Sequence, residues 1–305
     1  MRCACIDIGS NTTRLLVAED DGTAGGVREL AAERVFTAIG AGTGPDGSLP
    51  AAKIAEVVDV VAAQMASARR HGADPIRTVG TAAIRRAPNR EVLVAALARV
   101  DIELEILSGR QEARLAFAGA IASLGAAPVG SVAVVDIGGG STELVVGHAG
   151  DQAPWSVSLP VGSSSLTGGC VRHDPPSSAC LDALAAAASE AFAAVSPPAA
   201  VLALAVGGSA TSLLLLAGAG PQGATATLDE RSLIGALAAL TAEGVAATAL
   251  RLGLHPERVR VLPAGITLLA RASSVFAAPL QIARGGLREG IIRDLLSAGG
   301  RGGRD

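Results

Sequence analysis

The chain of 305 residues carries 25 basic and 28 acidic side chains, so its formal net charge is −3, and 50% of its residues are hydrophobic. A chain so near neutrality has no global field that attracts nucleic acid or an acidic membrane surface, and any anionic ligand must be held locally. The length and apolar content suffice for two hydrophobic cores. Only Lys53 is a lysine, which excludes a lysine-type phosphate-binding loop.

The four cysteines are Cys3, Cys5, Cys170 and Cys180, and their spacing is that of neither a metal site nor a disulfide framework. Free thiols in a reducing compartment are therefore expected. Asp7 stands where a signal peptide would need its apolar core. These features predict a cytoplasmic protein.

One uncharged segment, residues 191–228, is long enough to resemble a membrane span, and its most apolar part is 199–216. The sequence Gly207-Gly208-Ser209 interrupts that part. We therefore expect a buried strand, a glycine turn and a buried helix here, and no membrane helix.

The first half of the chain alternates strand and helix patterns. Strands are predicted at 3–8 and 12–19 around the turn Gly9-Ser10-Asn11, with a third at 25–38. Apolar residues at helical spacing, followed by Gly72, predict a helix over 51–70. A strand at 76–80, a helix at about 90–99, a strand at 102–107 and a helix from about 110 complete this half.

The opening pattern then recurs: DIGGGS at 136–141 aligns with DIGSNT at 7–12 inside a second strand-turn-strand unit at 132–148. This indicates an internal duplication and an α/β fold with two similar lobes. Predicted helices at about 178–194, 229–240 and 242–253 and a strand at 200–206 fill the second half. We place the lobes at 1–124 and 125–305, and a last helix at about 287–297 can pack back on the first lobe.

The two repeats share a chemical signature. Asp7 and Asp136 each end a buried strand, where a carboxylate is costly without a partner such as a divalent cation. The turns that follow, 9–13 and 138–142, can present consecutive N–H groups to an anion, although either turn alone is also ordinary hairpin chemistry. In the duplicated chain, the two loops would face each other across an interlobe cleft. A third turn, 207–211, fits strand-to-helix packing and phosphate contact equally well.

A dinucleotide-binding fold does not fit the second loop. Glu143 stands where the Gly-x-Gly-x-x-Gly fingerprint needs its third glycine, and the residues after it read as a strand.

Several separate motifs together resemble the exopolyphosphatase/guanosine pentaphosphate phosphatase (Ppx/GppA) family, in its short form, of the actin, sugar-kinase and heat-shock-chaperone superfamily. The motifs are DIGSNTTRL at 7–15, GTAAIRRAPN at 80–89, LSGRQEARLAF at 107–117, DIGGGSTELV at 136–145, LPVGSSSLT at 159–167, VGGSAT at 206–211 and GGLREGII at 285–292. The combination of SG-x-x-EA with DIGGGSTEL is specific to that family. The resemblance implies two actin-like (ribonuclease H-like) lobes, without the additional C-terminal helical domains of long members.

The resemblance also implies roles for individual residues. Glu112 falls on the catalytic base, and Asp136 and Glu143 fall on catalytic acidic positions that, with Asp7, would hold Mg²⁺ or Mn²⁺. It assigns Arg14 and Arg85 to the phosphates. Together with the loop positions argued above, the residues predicted to bind phosphate are Gly9, Ser10, Asn11, Thr12, Arg14, Arg85, Gly138, Gly139, Gly140, Ser141, Thr142, Gly208 and Ser209. The chain departs from the family pattern at Gln111 and Arg260, where acids are common.

The implied activity is removal of the terminal phosphate from inorganic polyphosphate. The alternatives are hydrolysis of the 5′-phosphate of guanosine pentaphosphate, a non-catalytic nucleotide-binding regulator of the same fold, and an ATP-dependent kinase of the superfamily. The expected partners are polyphosphate or guanosine penta- or tetraphosphate, with no nucleic acid and no membrane. A homodimer is left open.

Overall fold

The computed structural model describes residues 1–22, 27–40, 43–44, 46–151, 154–216 and 226–301. The chain divides into two compact units, Met1–Ala122 with Gly285–Asp305, and Ser123–Arg284. The first unit therefore includes the end of the chain, whereas the predicted second lobe extends to residue 305.

The first unit contains a five-stranded sheet in the order β3-β2-β1-β4-β5. Its strands are β1 (Arg2–Ile8), β2 (Thr13–Asp20), β3 (Val27–Val35), β4 (Ile76–Gly80) and β5 (Leu104–Ile106). The first three strands pair antiparallel, and β4 and β5 run parallel to β1. The predicted opening hairpin is confirmed; residues 25 and 26 of the predicted third strand lie outside the described residues.

Helices cover both faces of this sheet. They are α1 (Ala51–Arg70), α2 (Ala82–Arg86), α3 (Arg90–Ala98), α4 (Gly109–Ala122) and the C-terminal helix (Leu287–Arg301). Because side chains alternate along a strand, Ile6 and Leu15 pack with α1 on one face, while Cys3 and Cys5 pack with α4 and the C-terminal helix on the other. The helix predicted over 51–70 is confirmed.

Two glycines allow α4 and the C-terminal helix to cross at very short range. A Cβ on Gly119 would lie 2.0 Å from the carbonyl oxygen of Gly286, and one on Gly290 would lie 2.0 Å from that of Leu115. An ion pair of 2.9 Å between Arg114 and Asp294 joins the same helices. Neither glycine can be replaced without displacing backbone.

The second unit repeats the strand order of the first in its six-stranded sheet, β10-β11-β9-β6-β7-β8. Its strands are β6 (Val132–Ile137), β7 (Thr142–Gly147), β8 (Trp155–Leu159), β9 (Leu202–Val206), β10 (Thr227–Leu228) and β11 (Leu280–Ile282). Strands β6, β7 and β8 pair antiparallel like β1, β2 and β3, and β9 and β11 follow in parallel like β4 and β5. This shared topology is the structural form of the predicted duplication.

The helices of the second unit are α5 (Ser163–Cys170), α6 (Ser178–Ala191), α7 (Gly207–Leu216), α8 (Glu230–Thr241), α9 (Val245–Leu252) and α10 (Pro256–Phe276). The predicted strand, glycine turn and helix around 199–216 are confirmed by β9 and α7, and residues 217–225 of the uncharged segment lie outside the described residues. The predicted helices near 178, 229 and 242 are also found, as α6, α8 and α9.

By length and composition, α10 could span a membrane, and so could α8 and α9 if their 117° bend were one broken span. However, twelve of the 21 residues of α10 are buried, and the helix packs against α5, α6, α7, α8 and α9. That environment is the one expected for the core helix of a globular domain.

Candidate active site

The first glycine loop, residues 9–13, is closed by a hydrogen bond from the N–H of Gly9 to the carbonyl of Thr12, 3.0 Å long. Residues 38–40 also bind the loop: the N–H of Gly40 donates to the carbonyl of Ser10 (2.8 Å), and the N–H of Ala38 donates to the carbonyl of Asn11 (2.9 Å). The buried amide Nδ2 of Asn11 has no hydrogen-bond partner within the described residues. The loop is therefore fixed and carries an unused donor.

A buried polar cluster supports the same loop from the α1 side. The hydroxyls of Thr13 and Thr37 lie 3.1 Å apart, and the amide of Gln64 donates to the carbonyl of Thr13 at 3.3 Å. Lys53 donates to the carbonyl of Thr37 at 2.7 Å. These contacts fix the start of β2, and with it the position of Arg14.

Asp7 and Arg14 are directly paired across β1 and β2. The Oδ1 atom of Asp7 is buried and has no hydrogen-bond partner within the described residues. Burial raises the pKa of Asp7, the charges of Arg14 and Arg288 oppose that rise, and Glu289 adds to it. Such an orphaned carboxylate oxygen is what a cation ligand leaves when no cation is present.

Glu112 lies in the first turn of α4 and is buried, with 7% of its surface exposed. Its Oε2 accepts a hydrogen bond of 2.9 Å from Arg85 Nη1, and the same nitrogen donates to the carbonyl of Leu107 at 2.6 Å. The structure thus places Arg85, from the motif at 80–89, in direct contact with Glu112, from the motif at 107–117. The guanidinium stabilises the ionised form of the carboxylate.

Gln111, one of the departures from the family pattern, has a structural role. Its side chain accepts from the N–H of Ser108 at 2.9 Å, while the Ser108 hydroxyl accepts from the N–H of Gln111 at 3.2 Å. This reciprocal pair is a capping box, which satisfies the first N–H groups of a helix. The cap fixes the turn that carries Glu112.

The second loop, residues 138–142, repeats the closing hydrogen bond of the first: Gly138 donates to the carbonyl of Ser141 at 3.0 Å. Its support differs, because the first turn of α5 binds it. Ser163 and Ser164 donate to the carbonyls of Gly138 and Gly139, both at 2.9 Å. Since the C=O and N–H of a trans peptide point in opposite directions, the N–H groups of Gly139 and Gly140 point away from α5.

Two acidic residues flank this loop. Asp136 and Glu143 are cross-strand partners on β6 and β7. Glu143 is buried and its Oε1 accepts from the hydroxyl of Ser158 at 2.8 Å. A Cβ on Gly207, whose φ is +85°, would lie 2.6 Å from Oδ1 of Asp136. Only glycine fits there, because both its backbone conformation and its space exclude a side chain.

The third glycine turn contacts an arginine that the sequence interpretation missed. A Cβ on Gly208 would lie 2.7 Å from Nη2 of Arg258, a residue of α10 that is only 5% exposed. Ser209 Oγ is buried without a partner in the described part of the chain, and Gly265 provides the space for it. Arg258 has the helical spacing of the buried residues of α10. An arginine at a position where the pattern predicts an apolar residue could have identified it from the sequence.

The predicted site residues fall into two groups. The first unit holds Asp7, Gly9, Ser10, Asn11, Thr12, Arg14, Arg85 and Glu112, and the second holds Asp136, Gly138, Gly139, Gly140, Ser141, Thr142, Glu143, Gly208 and Ser209. Arg260, the other departure, is an exposed side chain 3.5 Å from Glu257. All four cysteines are free thiols, as predicted.

No group of three or more His, Cys, Asp or Glu side chains is placed to hold one metal ion within the described ranges. The predicted ligands nevertheless suit Mg²⁺, which binds through one or two carboxylates and completes its shell with water and phosphate oxygens. The orphaned Oδ1 of Asp7 fits such a partner.

Two units with the same strand order, each opening on an Asp-Ile-Gly turn, define a protein of the actin-like class. The sequence model of the Ppx/GppA phosphatase family matches residues 16–298, and the chain belongs to that family. The crystal structure of the Aquifex aeolicus member of the Ppx/GppA family superposes with a TM-score of 0.81 at 27% identity, covering 100% of this chain and 99% of that one. The predicted family and fold class are thus confirmed.

Two curated relatives differ in their named substrates. A Mycobacterium tuberculosis protein named exopolyphosphatase 2 is 35% identical over 183 residues, 57% of this chain and 56% of that protein. An Aeromonas salmonicida protein named guanosine-5′-triphosphate,3′-diphosphate pyrophosphatase is 32% identical over 301 residues, 96% of this chain and 59% of that protein. The chain thus spans less than two thirds of the length of either relative.

Proposed function

We propose that this protein hydrolyses the terminal phosphoanhydride bond of inorganic polyphosphate, with Glu112 as the general base. The observation that supports the proposal is the buried carboxylate of Glu112, which lies on the capped first turn of α4. Its Oε2 lies 2.9 Å from Nη1 of Arg85. A carboxylate that is fixed in position by a charged partner is suited to orient and activate a water molecule.

In the proposed reaction, Glu112 takes a proton from water as the water oxygen attacks the terminal phosphorus. The bond from that phosphorus to the bridging oxygen breaks, which releases orthophosphate and a chain that is one phosphate shorter. A carboxylate has about four lone-pair sites, so the bond to Arg85 does not exhaust the capacity of Glu112 to orient water. The positions of the attacking and leaving oxygens must be in line.

Backbone N–H groups and arginines would bind the remaining phosphoryl oxygens. In the second loop, the N–H groups of Gly139 and Gly140 have the orientation for this role, and in the first, Asn11 Nδ2 and Arg14 are suitable donors. Fixed donors of this kind stabilise the charge of the transition state without reorganisation. Asp7 in the first unit, and separately Asp136 and Glu143 in the second, are the carboxylates that would serve as ligands of Mg²⁺ or Mn²⁺, and such an ion would supply charge neutralisation at phosphoryl oxygens.

The test is phosphate release from polyphosphate without any acceptor, for wild type and Glu112→Gln. We expect the variant to lose at least about a hundredfold in kcat, the usual contribution of a general base, with substrate binding retained. Glu103→Gln, an exposed acid in the same unit, is the matched control and should keep wild-type turnover. A Glu112→Gln variant with wild-type kcat would refute the assignment.

The same assay separates the alternatives. A non-catalytic regulator would release no phosphate, and a kinase would require an acceptor hydroxyl. Hydrolysis of guanosine pentaphosphate is the second candidate, because the relative that covers 96% of this chain is named for a guanosine nucleotide. Side-by-side kcat/KM values for long polyphosphate, tripolyphosphate and guanosine pentaphosphate would decide between them. Turnover should also require a divalent cation, and full activity after exhaustive chelation would contradict the metal assignment.

A further inference from the structure

Three arginines of the first unit surround one end of its sheet, and two of them were not among the predicted site residues. Arg34 on β3 pairs directly with Arg14 on β2, and Arg14 pairs directly with Asp7 on β1. Directly opposed residues of adjacent strands point to the same face of a sheet. Asp7, Arg14 and Arg34 therefore form one row on one face.

The neighbours of this row identify the face. Glu33, next to Arg34, accepts a hydrogen bond from Ser67 of α1, so Arg34 projects to the side opposite α1. On that side, Cys3 and Cys5 of β1 pack against the C-terminal helix. The row thus shares its face with the C-terminal helix.

The first turn of the C-terminal helix adds the third arginine. Arg288 is largely buried, with 18% of its side chain exposed, and its Nη1 lies 3.4 Å from the carbonyl of Leu15 on β2. The positive charge of Arg288 affects the residues at both ends of the row. It lowers the pKa of Arg34, and it opposes the rise that burial causes in the pKa of Asp7. Partial burial of the Arg34 guanidinium is the larger cause of its lowered pKa.

The charges of this cluster do not balance. Among the described residues, the acids whose charges act on it are Asp7 and Glu289, and Glu289 already lies 3.7 Å from Arg288 and accepts from the N–H of Gly286. Arg34 keeps an exposed surface although its guanidinium is partly buried, and its side chain has no hydrogen bond or ion pair with any residue that the structure describes. Three guanidinium groups beside two carboxylates leave an excess of positive charge among the described residues, and such an excess favours an anionic ligand.

We propose that Arg34 and Arg288, together with Arg14, form a subsite for a second phosphoryl group of a linear phosphate chain. The inference deepens the proposed function, since the subsite would hold a phosphate other than the one that is transferred. Planar guanidinium groups bind phosphate through paired hydrogen bonds. A ligand with one phosphoryl group would gain little from this subsite, and a ligand with two or more would gain the whole interaction.

The test is calorimetric binding to the full chain, with methylenediphosphonate, which cannot be hydrolysed, and orthophosphate as the two ligands. Arg34→Gln should weaken methylenediphosphonate binding by about tenfold, the lower range for a lost hydrogen bond to a charged group, and orthophosphate binding by less than about twofold. Arg34→Lys should give an intermediate loss. Arg28→Gln is the matched control on the same strand, since Arg28 is exposed and pairs with Glu19; it should bind both ligands like wild type.

Arg288→Gln should reproduce the effect of Arg34→Gln on the two ligands, with far-ultraviolet circular dichroism to establish that the helix remains. Guanosine tetraphosphate as a third ligand distinguishes nucleotide phosphates from a free chain. Unchanged methylenediphosphonate affinity in Arg34→Gln, or an equal loss for orthophosphate, would overturn the subsite. A wild type that binds methylenediphosphonate through Arg34 but releases no phosphate from any substrate would overturn the proposed function and leave the subsite standing.

Discussion

Replacing Gly119 by alanine should destabilise the first unit, although alanine is the better helix former. The new Cβ would lie 2.0 Å from a backbone carbonyl oxygen, whereas ordinary contacts begin at 3.4 Å, so the two helices must separate by about 1.4 Å. Overpacking of this kind costs about 1–3 kcal/mol, and the upper end applies because a backbone atom cannot rotate away. The helix propensity of alanine returns about 0.5–1 kcal/mol, which leaves a net loss of about 2 kcal/mol.

Thermal unfolding measures this loss, which corresponds to a lowering of the melting temperature by about 4–8 °C. Hydrogen exchange should also become faster in the C-terminal helix, because that helix contacts Gly119. Gly235→Ala in α8 is the control: it is a helical glycine with open space around it, and its replacement should raise stability by about 0.5–1 kcal/mol. A Gly119→Ala protein whose melting temperature lies within about 1 °C of the wild-type value would refute the close crossing.

Arg85→Met should lower kcat by more than about tenfold, since it leaves the buried Glu112 carboxylate without its partner, and Arg85→Lys should lose less; steady-state phosphate release compares the two. Asp7→Asn should gain stability relative to wild type as pH rises, because burial raises the folded-state pKa of Asp7: the stability that this gives wild type is complete below the unfolded pKa of about 3.9 and is lost as pH rises through the folded pKa. Urea unfolding measured from about pH 3.5, below the unfolded pKa, up to about pH 7 would show this, and a pH-independent difference would contradict it. Cys3, whose pKa burial raises to about 11, and Cys5, whose pKa burial also raises, should resist iodoacetamide in the native protein, as mass spectrometry can determine.

The sequence was sufficient where a local pattern determines the structure. The helix over 51–70 has apolar residues at helical spacing, and the opening hairpin is marked by its glycine turn, so both were predicted within a residue or two. The longest helix, α10, was not predicted. Its interior contains Pro263 and Gly265, which normally mark a break. Here Pro263 is buried in the core, and Gly265 leaves room for Ser209, so tertiary packing outweighs the local preference.

The candidate site shows the same division. Motifs identified Glu112 and Arg85, and the structure adds their hydrogen bond. Arg34 lies outside every motif, and Arg288, although it lies within GGLREGII, was given no role by it. They are 254 positions apart, and only the strand register and the return of the C-terminal helix to the first unit bring them to one face.

The two units share one backbone turn, and each unit supports that turn with different elements. In both, a glycine N–H closes the turn on a carbonyl three residues later at 3.0 Å. The first loop is supported by the main chain of residues 38–40 and, from α1, by the side chain of Gln64. The second loop rests on the main chain of α5, where a Cβ on Gly162 would lie 2.6 Å from Gly139 and Gly140. The hydroxyl of Ser163 also donates to the carbonyl of Gly138 at 3.2 Å, so each loop combines main-chain and side-chain support that comes from its own unit.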